Sequence, residues 1–228
     1  MGVGRMTAAA CEQCTSRHPH GTCNNAAKNG HVECLRHARD QGFSWDASTP
    51  SMAADNGHLE CLTYAHEHGC PWNKLTPAYA ALNGHMPCLE YAHRKGCPWD
   101  RTTPAFAAMN GRLDILRYAH EHGCPWDENT PAYAAKHGHL ECLAYAHENG
   151  CLWDMWTAVW ANYHHELECM QYAYERGCPG TRDASGGRRD DASSSIGRAY
   201  RRWKAVRDAN VRLILAGRLP ASVVVGPT

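Results

Sequence analysis

An excess of charge of either sign is missing from this chain: 23 Lys and Arg stand against 23 Asp and Glu. No overall field therefore drives it onto nucleic acid or a membrane surface. Long apolar runs are also missing. Nothing approaches the roughly 18 apolar residues that a spanning helix needs, so no membrane span is expected. The opening stretch from Met1 to Cys14 lacks the apolar core of a secretory signal. The motifs of common catalytic sites are absent as well: no Gly-x-Ser-x-Gly, no P-loop, no His-Glu-x-x-His, no paired-carboxylate pattern. The expectation is a protein that is not an enzyme and carries no cofactor. Phe is reduced to 2 residues, while His reaches 16, Cys 13 and Trp 8. Such a bias is what copying one short motif produces. An odd number of cysteines without a secretory signal argues for reduced thiols inside the cell, in the cytoplasm or the nucleus.

The copied motif is visible in three residue series. Trp45, Trp72, Trp99, Trp126 and Trp153 are spaced by 27. Gly30, Gly57, Gly84, Gly111 and Gly138 keep the same step, as do Gly42, Gly69, Gly96, Gly123, Gly150 and Gly177. Six units starting at Thr22, Thr49, Thr76, Thr103, Thr130 and Thr157 cover residues 22–180. Each reads as helix, tight turn, helix, loop. Thr76-Pro77 opens a unit, with the Thr hydroxyl as the expected cap and Pro suited to the first helical position. Ala80 and Ala81 favour helix and close approach. Gly84 stops the first helix by accepting the left-handed conformation. A second helix starts near Met86 and ends at Gly96. Neither helix can bury its apolar face alone, so the pairs must stack. The expected fold is all-α, a solenoid of six stacked helix-turn-helix units.

Asn56-Gly57-His58-Leu59-Glu60-Cys61-Leu62 and Gly69-Cys70-Pro71-Trp72-Asn73 resemble the ankyrin repeat over about seventy per cent of the chain. Ankyrin units run to about 33 residues, and these run to 27. The missing residues lie where the family carries its β-hairpin finger, so long fingers are not expected. Shortened, Cys- and Trp-rich units of this kind resemble those encoded by giant DNA viruses of amoebae. The resemblance implies a monomeric, non-catalytic scaffold that recognises a partner protein, of a host cell in the viral case, through its concave face.

The periodic residues read first as packing. Each Trp takes the place of the family's finger valine. An aromatic ladder for bases fits poorly, since stacked helices sit roughly 10 Å apart. Cys34, Cys61, Cys88, Cys142 and Cys169 share one helix position, which Ile115 takes in the fourth unit, as expected of a core site. Cys70, Cys97, Cys124, Cys151 and Cys178 read likewise. Equivalent cysteines in adjacent units lie beyond the about 7 Å between Cα atoms that a disulfide allows. His31, His58, His85 and His139, with Arg112 in the fourth unit, read as braces between turns. His66, His93, His120 and His147 sit late in the second helix and are too far apart to share one metal. No metal site is expected in the array. Cys11, Cys14, His18, His20 and Cys23 have zinc-like chemistry but match no zinc module.

Positions that vary within a fixed frame are the expected reading surface. Asp55, Leu82, Met109 and Lys136 share the end of the first helix. Lys74, Leu75, Arg101, Glu128, Met155 and Trp156 lie in the varied loop after each Trp. Two readings of Leu82 and Met109 stand: an exposed apolar patch bounded by Asp55 and Lys136, or a pair that simply packs together. Residues 1–21 read as an arm, 181–195 as a linker, 196–218 as a basic amphipathic helix and 219–228 as a tail. Within that helix Arg198, Arg201, Arg202, Lys204 and Arg207 form the basic side. They offer a second function, contact with nucleic acid or another acidic surface, or serve a helix that caps the last repeat.

Overall fold

The computed structural model describes residues 19–181 and residue 205. Twelve helices occupy residues 19–181: α1 (Pro19–Lys28), α2 (Val32–Asp40), α3 (Ser48–Asp55), α4 (Leu59–Glu67), α5 (Leu75–Asn83), α6 (Met86–Arg94), α7 (Thr102–Met109), α8 (Leu113–Glu121), α9 (Asn129–Lys136), α10 (Leu140–Glu148), α11 (Met155–Tyr163) and α12 (Leu167–Glu175). Among the described residues there is no strand. The finger of the longer unit is reduced to a short turn such as residues 69–74. Helix α1 begins at Pro19, three residues before the Thr22 expected to open the array. The residues divide into two compact units, up to Thr130 and from Pro131. In the first, α1, α3, α5 and α7 pack side by side in succession, with α2, α4 and α6 behind them. In the second, α12 packs on both α10 and α11.

Helix ends follow from glycine. At the end of α3 the His58 amide donates to Ala53 O at 2.8 Å and the Gly57 amide to Ala54 O at 3.3 Å. This is a Schellman turn, which needs a left-handed residue at its centre, and Gly57 has φ 76°. Cys70 and Gly69 repeat the pattern after α4, donating to Ala65 O and His66 O. Helix starts differ from the sequence reading. The acceptor is the Asp or Asn after each Trp: Asn73 Oδ1 takes the Leu75 amide at 2.9 Å and Asp100 Oδ1 takes the Thr102 amide at 2.9 Å. The Thr of each Thr-Pro lies inside the first turn and is fully buried. The Thr49 hydroxyl donates to Asn24 Oδ1 at 2.6 Å, and Thr76 shares a bond with Ser51 at 3.2 Å. Thr49 and Thr76 therefore each brace a first helix to the preceding one. The Thr103 hydroxyl has no such partner, because Ala78 stands 27 residues beyond Ser51.

Three contacts recur where one pair meets the next. The first lies at the turn glycine. A Cβ on Gly57 would stand 2.6 Å from His85 Nδ1, and one on Gly84 would stand 2.9 Å from Arg112 Nε. The histidine expected as a brace thus lies flat against the preceding turn, and Arg112 does the same work. The second contact is made by the later histidine. His66 stacks on Trp72 with centroids 4.0 Å apart, and its Nδ1 is 2.9 Å from Tyr91 Oη of the next pair. His93 does the same with Trp99 and Tyr118, and His147 with Trp153 and Tyr172. The third is a thiol bond: Cys70, Cys97, Cys124 and Cys178 each donate to the carbonyl of the capping Asp or Asn of the preceding pair, at 3.2 to 3.4 Å. None of the eleven described cysteines is in a disulfide. Burial pushes Cys88 up to about 11 and Cys97 up to about 12, so these thiols are unreactive core groups. Cys23 is a core residue of α1 rather than a surface ligand. Cys11, Cys14 and His18 lie outside the described residues.

Three outcomes follow. His165 stands where other turns have glycine and is held at φ 62°, a conformation that costs a residue with a Cβ energy. His165→Gly should raise stability by about 1 kcal/mol in urea unfolding. Trp99 is half-buried, so Trp99→Ala should cost about 2 kcal/mol, less than a fully buried ring. Burial, and then His122, depresses the His93 pKa. Burial, and then Arg176, depresses that of His147. The unfolded chain takes its proton first as pH falls, so stability should be full above about 6.5 and decline below it. The urea midpoint, followed from neutral to mildly acidic pH, should show this decline. His93→Gln and His147→Gln should flatten the decline while lowering the midpoint at neutral pH.

Candidate interaction face

The first helix of each pair turns one side toward the preceding helix and another toward its own partner helix. Small residues fill both: Ala53, Ala54, Ala80, Ala81, Ala107 and Ala108 are fully buried. Small side chains there let the helices approach closely, and the bulkier residues are left for the remaining side. On α5 these are Leu75, Tyr79 and Leu82, at the i, i+4, i+7 spacing of one helix face. On α3 the equivalent places hold Met52 and Asp55, and on α7 Phe106 and Met109. In the second unit they hold Tyr133 and Lys136 on α9, and Trp156, Trp160 and Tyr163 on α11.

Within the first unit the face is a continuous apolar strip. Tyr79 and Phe106 are near parallel, with centroids 6.5 Å apart. Met52 and Leu75 are each 37% exposed, and Leu82 and Met109 are half-buried on neighbouring helices. The Asn110 side chain donates to Leu82 O at 2.8 Å and so fixes the end of α5 against α7. Asp55 is fixed likewise, accepting from the Asn83 amide at its carbonyl, 2.9 Å, and its carboxylate, 2.8 Å. Asp55 is thus a bonded rim residue rather than a bare charge.

Lys74 and Arg101 lie one residue before the face and are tied to the next turn. Lys74 Nζ is 2.8 Å from Asp100 Oδ2, and Arg101 Nε is 3.4 Å from Asp127 Oδ2. Burial pushes the Asp100 carboxyl up, but bonds from Lys74 and Thr102 outweigh it and hold it at about 2. These two cations therefore act first between pairs. Glu128 is exposed.

In the second unit the face is richer in rings. Tyr133 and Trp160 lie 5.7 Å apart and near parallel. Lys136 Nζ sits 4.9 Å from the Trp160 centroid, and Trp156 meets Trp160 at 6.4 Å. Met155 and Trp156 are about half exposed and Tyr163 is 76% exposed. Met52, Tyr79, Phe106, Tyr133, Trp160 and Tyr163 are missing from the residues expected from the sequence. The signal was there: a large apolar residue three positions before each of Asp55, Leu82, Met109, Lys136 and Tyr163. In one sequence that pattern reads as core.

Among the described residues no three His, Cys, Asp or Glu are grouped to hold a metal ion. No helix among them is long and apolar enough to cross a membrane. Arg198, Arg201, Arg202, Lys204 and Arg207 lie outside the described residues.

Known proteins place this architecture. A family profile for ankyrin repeats in many copies matches residues 51–93 and 105–147. The crystal structure of the human ASB11 ankyrin repeat domain superimposes with a TM-score of 0.60 at 16% identity, covering 78% of this chain and 95% of that one. No curated protein sequence matches. Ankyrin repeats generally mediate protein–protein interaction and are typically non-enzymatic. Residues 51–93 and 105–147 are ankyrin repeats, and the stack of helix pairs around them has the ankyrin-repeat fold.

Proposed function

We propose that the chain is a non-catalytic recognition scaffold that binds a partner protein through the exposed side of its first helices, the concave face of an ankyrin array. The observation that carries the reading is the strip of Met52, Leu75, Tyr79, Leu82, Phe106 and Met109. It places large apolar residues on the one side of these helices that no other described helix covers, while alanines take the core. Rings and aliphatic groups at the centre, with Asp55, Lys74 and Arg101 at the rim, match the make-up of protein interfaces. The 27-residue frame resembles the shortened units of giant viruses of amoebae, which makes a host protein the expected partner.

The test is affinity capture with the intact chain and with Leu82→Glu plus Met109→Glu, after circular dichroism shows equal helix content. Both side chains are half-exposed at helix ends, so the fold should survive. The expected outcome is loss of at least one reproducible protein from the captured set, with affinity lowered about 100-fold or more for the purified pair. Identical sets, or recovery of nucleic acid alone, would remove the face from consideration and turn attention to Arg198, Arg201, Arg202, Lys204 and Arg207.

A further inference from the structure

The uncovered side of the first helices changes chemistry between the two units. Where each first helix ends, the first unit has Asp55, Leu82 and Met109, and the second has Lys136 and Tyr163. The next residue changes too. In the first unit it is Asn56, Asn83 and Asn110, and the Asn83 and Asn110 side chains are bonded to Asp55 and Leu82 of the preceding helix. In the second unit it is His137 and His164. Both are exposed, and their rings lie near parallel with centroids 6.4 Å apart. His164 also meets the Tyr163 ring edge-on at 5.2 Å, and Lys136 Nζ lies over Trp160. Neither α9 nor α11 carries an Asp or Glu. His165 follows in place of the turn glycine, at φ 62°, and backbone strain of this kind clusters at ligand sites.

We propose that this edge of the second unit, formed by Lys136, His137 and His164 beside Trp156, Trp160 and Tyr163, binds a short acidic segment of a partner protein. The assignment rests on the reading that the uncovered side of the first helices is the binding face, and it adds the chemistry of what that side takes. Charge selects the partner. A cationic segment would meet Lys136 and find no carboxylate on either helix. A purely apolar one would strip water from Lys136 and give nothing in return. An acidic one forms charge-assisted bonds with Lys136 and with each imidazole that holds a proton. Apolar residues next to its carboxylates then cover Trp156, which is 50% exposed, and Tyr163, which is 76% exposed. The groups that act on His137 are Lys136 of α9, His139 of the turn, and His164 and Glu166 after α11. Burial, and then Lys136, His139 and His164, outweigh Glu166 and lower the His137 pKa. A carboxylate brought beside the ring raises it again, so the complex takes up a proton and binding strengthens as pH falls.

The probe is a phage-displayed library of random peptides of about twelve residues, long enough to cross two helices roughly 10 Å apart. It is panned on the intact chain at about pH 6.5, where histidine titrates. Synthetic copies of the recovered peptides are then measured by fluorescence anisotropy on the intact chain and on Lys136→Leu/His137→Asn/His164→Asn. Those substitutions install what the first unit carries at the same positions, so helix content by circular dichroism should be unchanged. The recovered peptides should be rich in Asp and Glu next to aromatic or aliphatic residues. Their affinity should fall about tenfold or more in the variant. In the intact chain it should rise about threefold or more between about pH 7.5 and pH 6. Recovery of no peptide, of peptides without excess acid, of acidic peptides that bind the variant equally, or a flat pH profile would overturn the proposal. If binding is lost instead with Leu82→Glu plus Met109→Glu, the uncovered side binds in the first unit and this assignment alone falls. If neither set of substitutions alters binding, the reading of the face falls with it.

Discussion

An imidazole between an indole of its own pair and a phenol of the next is the contact around which the pairs assemble. His66 has Trp72 on its face at 4.0 Å and Tyr91 Oη at 2.9 Å from Nδ1, and the arrangement recurs at His93 and His147. It joins two pairs by a directional bond that forms at only one offset between them. The glycine turns agree with that offset, since the His85 ring fills the space left by the missing Cβ of Gly57. The thiol of Cys97 reaches back to Asn73 O from the other side. Three polar or close-packed contacts thus fix a stack whose helices, at eight to ten residues each, are too short to persist alone.

That register decides which side of the first helices the other described helices leave uncovered. Alanines permit close approach of α3, α5 and α7, so the larger side chains of those helices are driven to the uncovered side. Tyr79 and Phe106 lie there because the core has no room for them. The face therefore arises from the same packing demand as the frame, and its residue types vary with little effect on the frame. In the second unit this freedom is used differently: Lys136 lies over Trp160 rather than beside an aliphatic residue.

Much of this was legible in the sequence. Gly57 and Gly69 ended helices as their spacing required, and Ile115 among cysteines identified a core position. The parts that were not legible depend on distances between pairs. Nothing local distinguishes Thr76 as a brace from Thr76 as a cap, since Thr-Pro satisfies the rule for a helix start while Asn73 meets it better by three residues. Tyr91 pairs with His66 only because one pair sits a fixed rise from the next. Lys74 and Arg101 looked like free rim charges until Asp100 and Asp127 were placed against them. Tyr79, Phe106, Tyr133 and Trp160 were not singled out, because whether a helix side is covered is a property of its neighbours.

The thiol bond and the histidine contact recur at successive junctions of the first unit, the turn contact recurs with Arg112 in place of histidine against Gly84, and each joins residues from adjacent pairs. Copy number is therefore an open variable. An extra 27-residue stretch spliced in at the turn between Asp100 and Arg101 would find, on both sides, the chemical groups that the existing neighbours already meet. Growth or shrinkage of the array by whole copies would leave matching groups at the remaining joints, as a stack held by contacts between adjacent pairs requires.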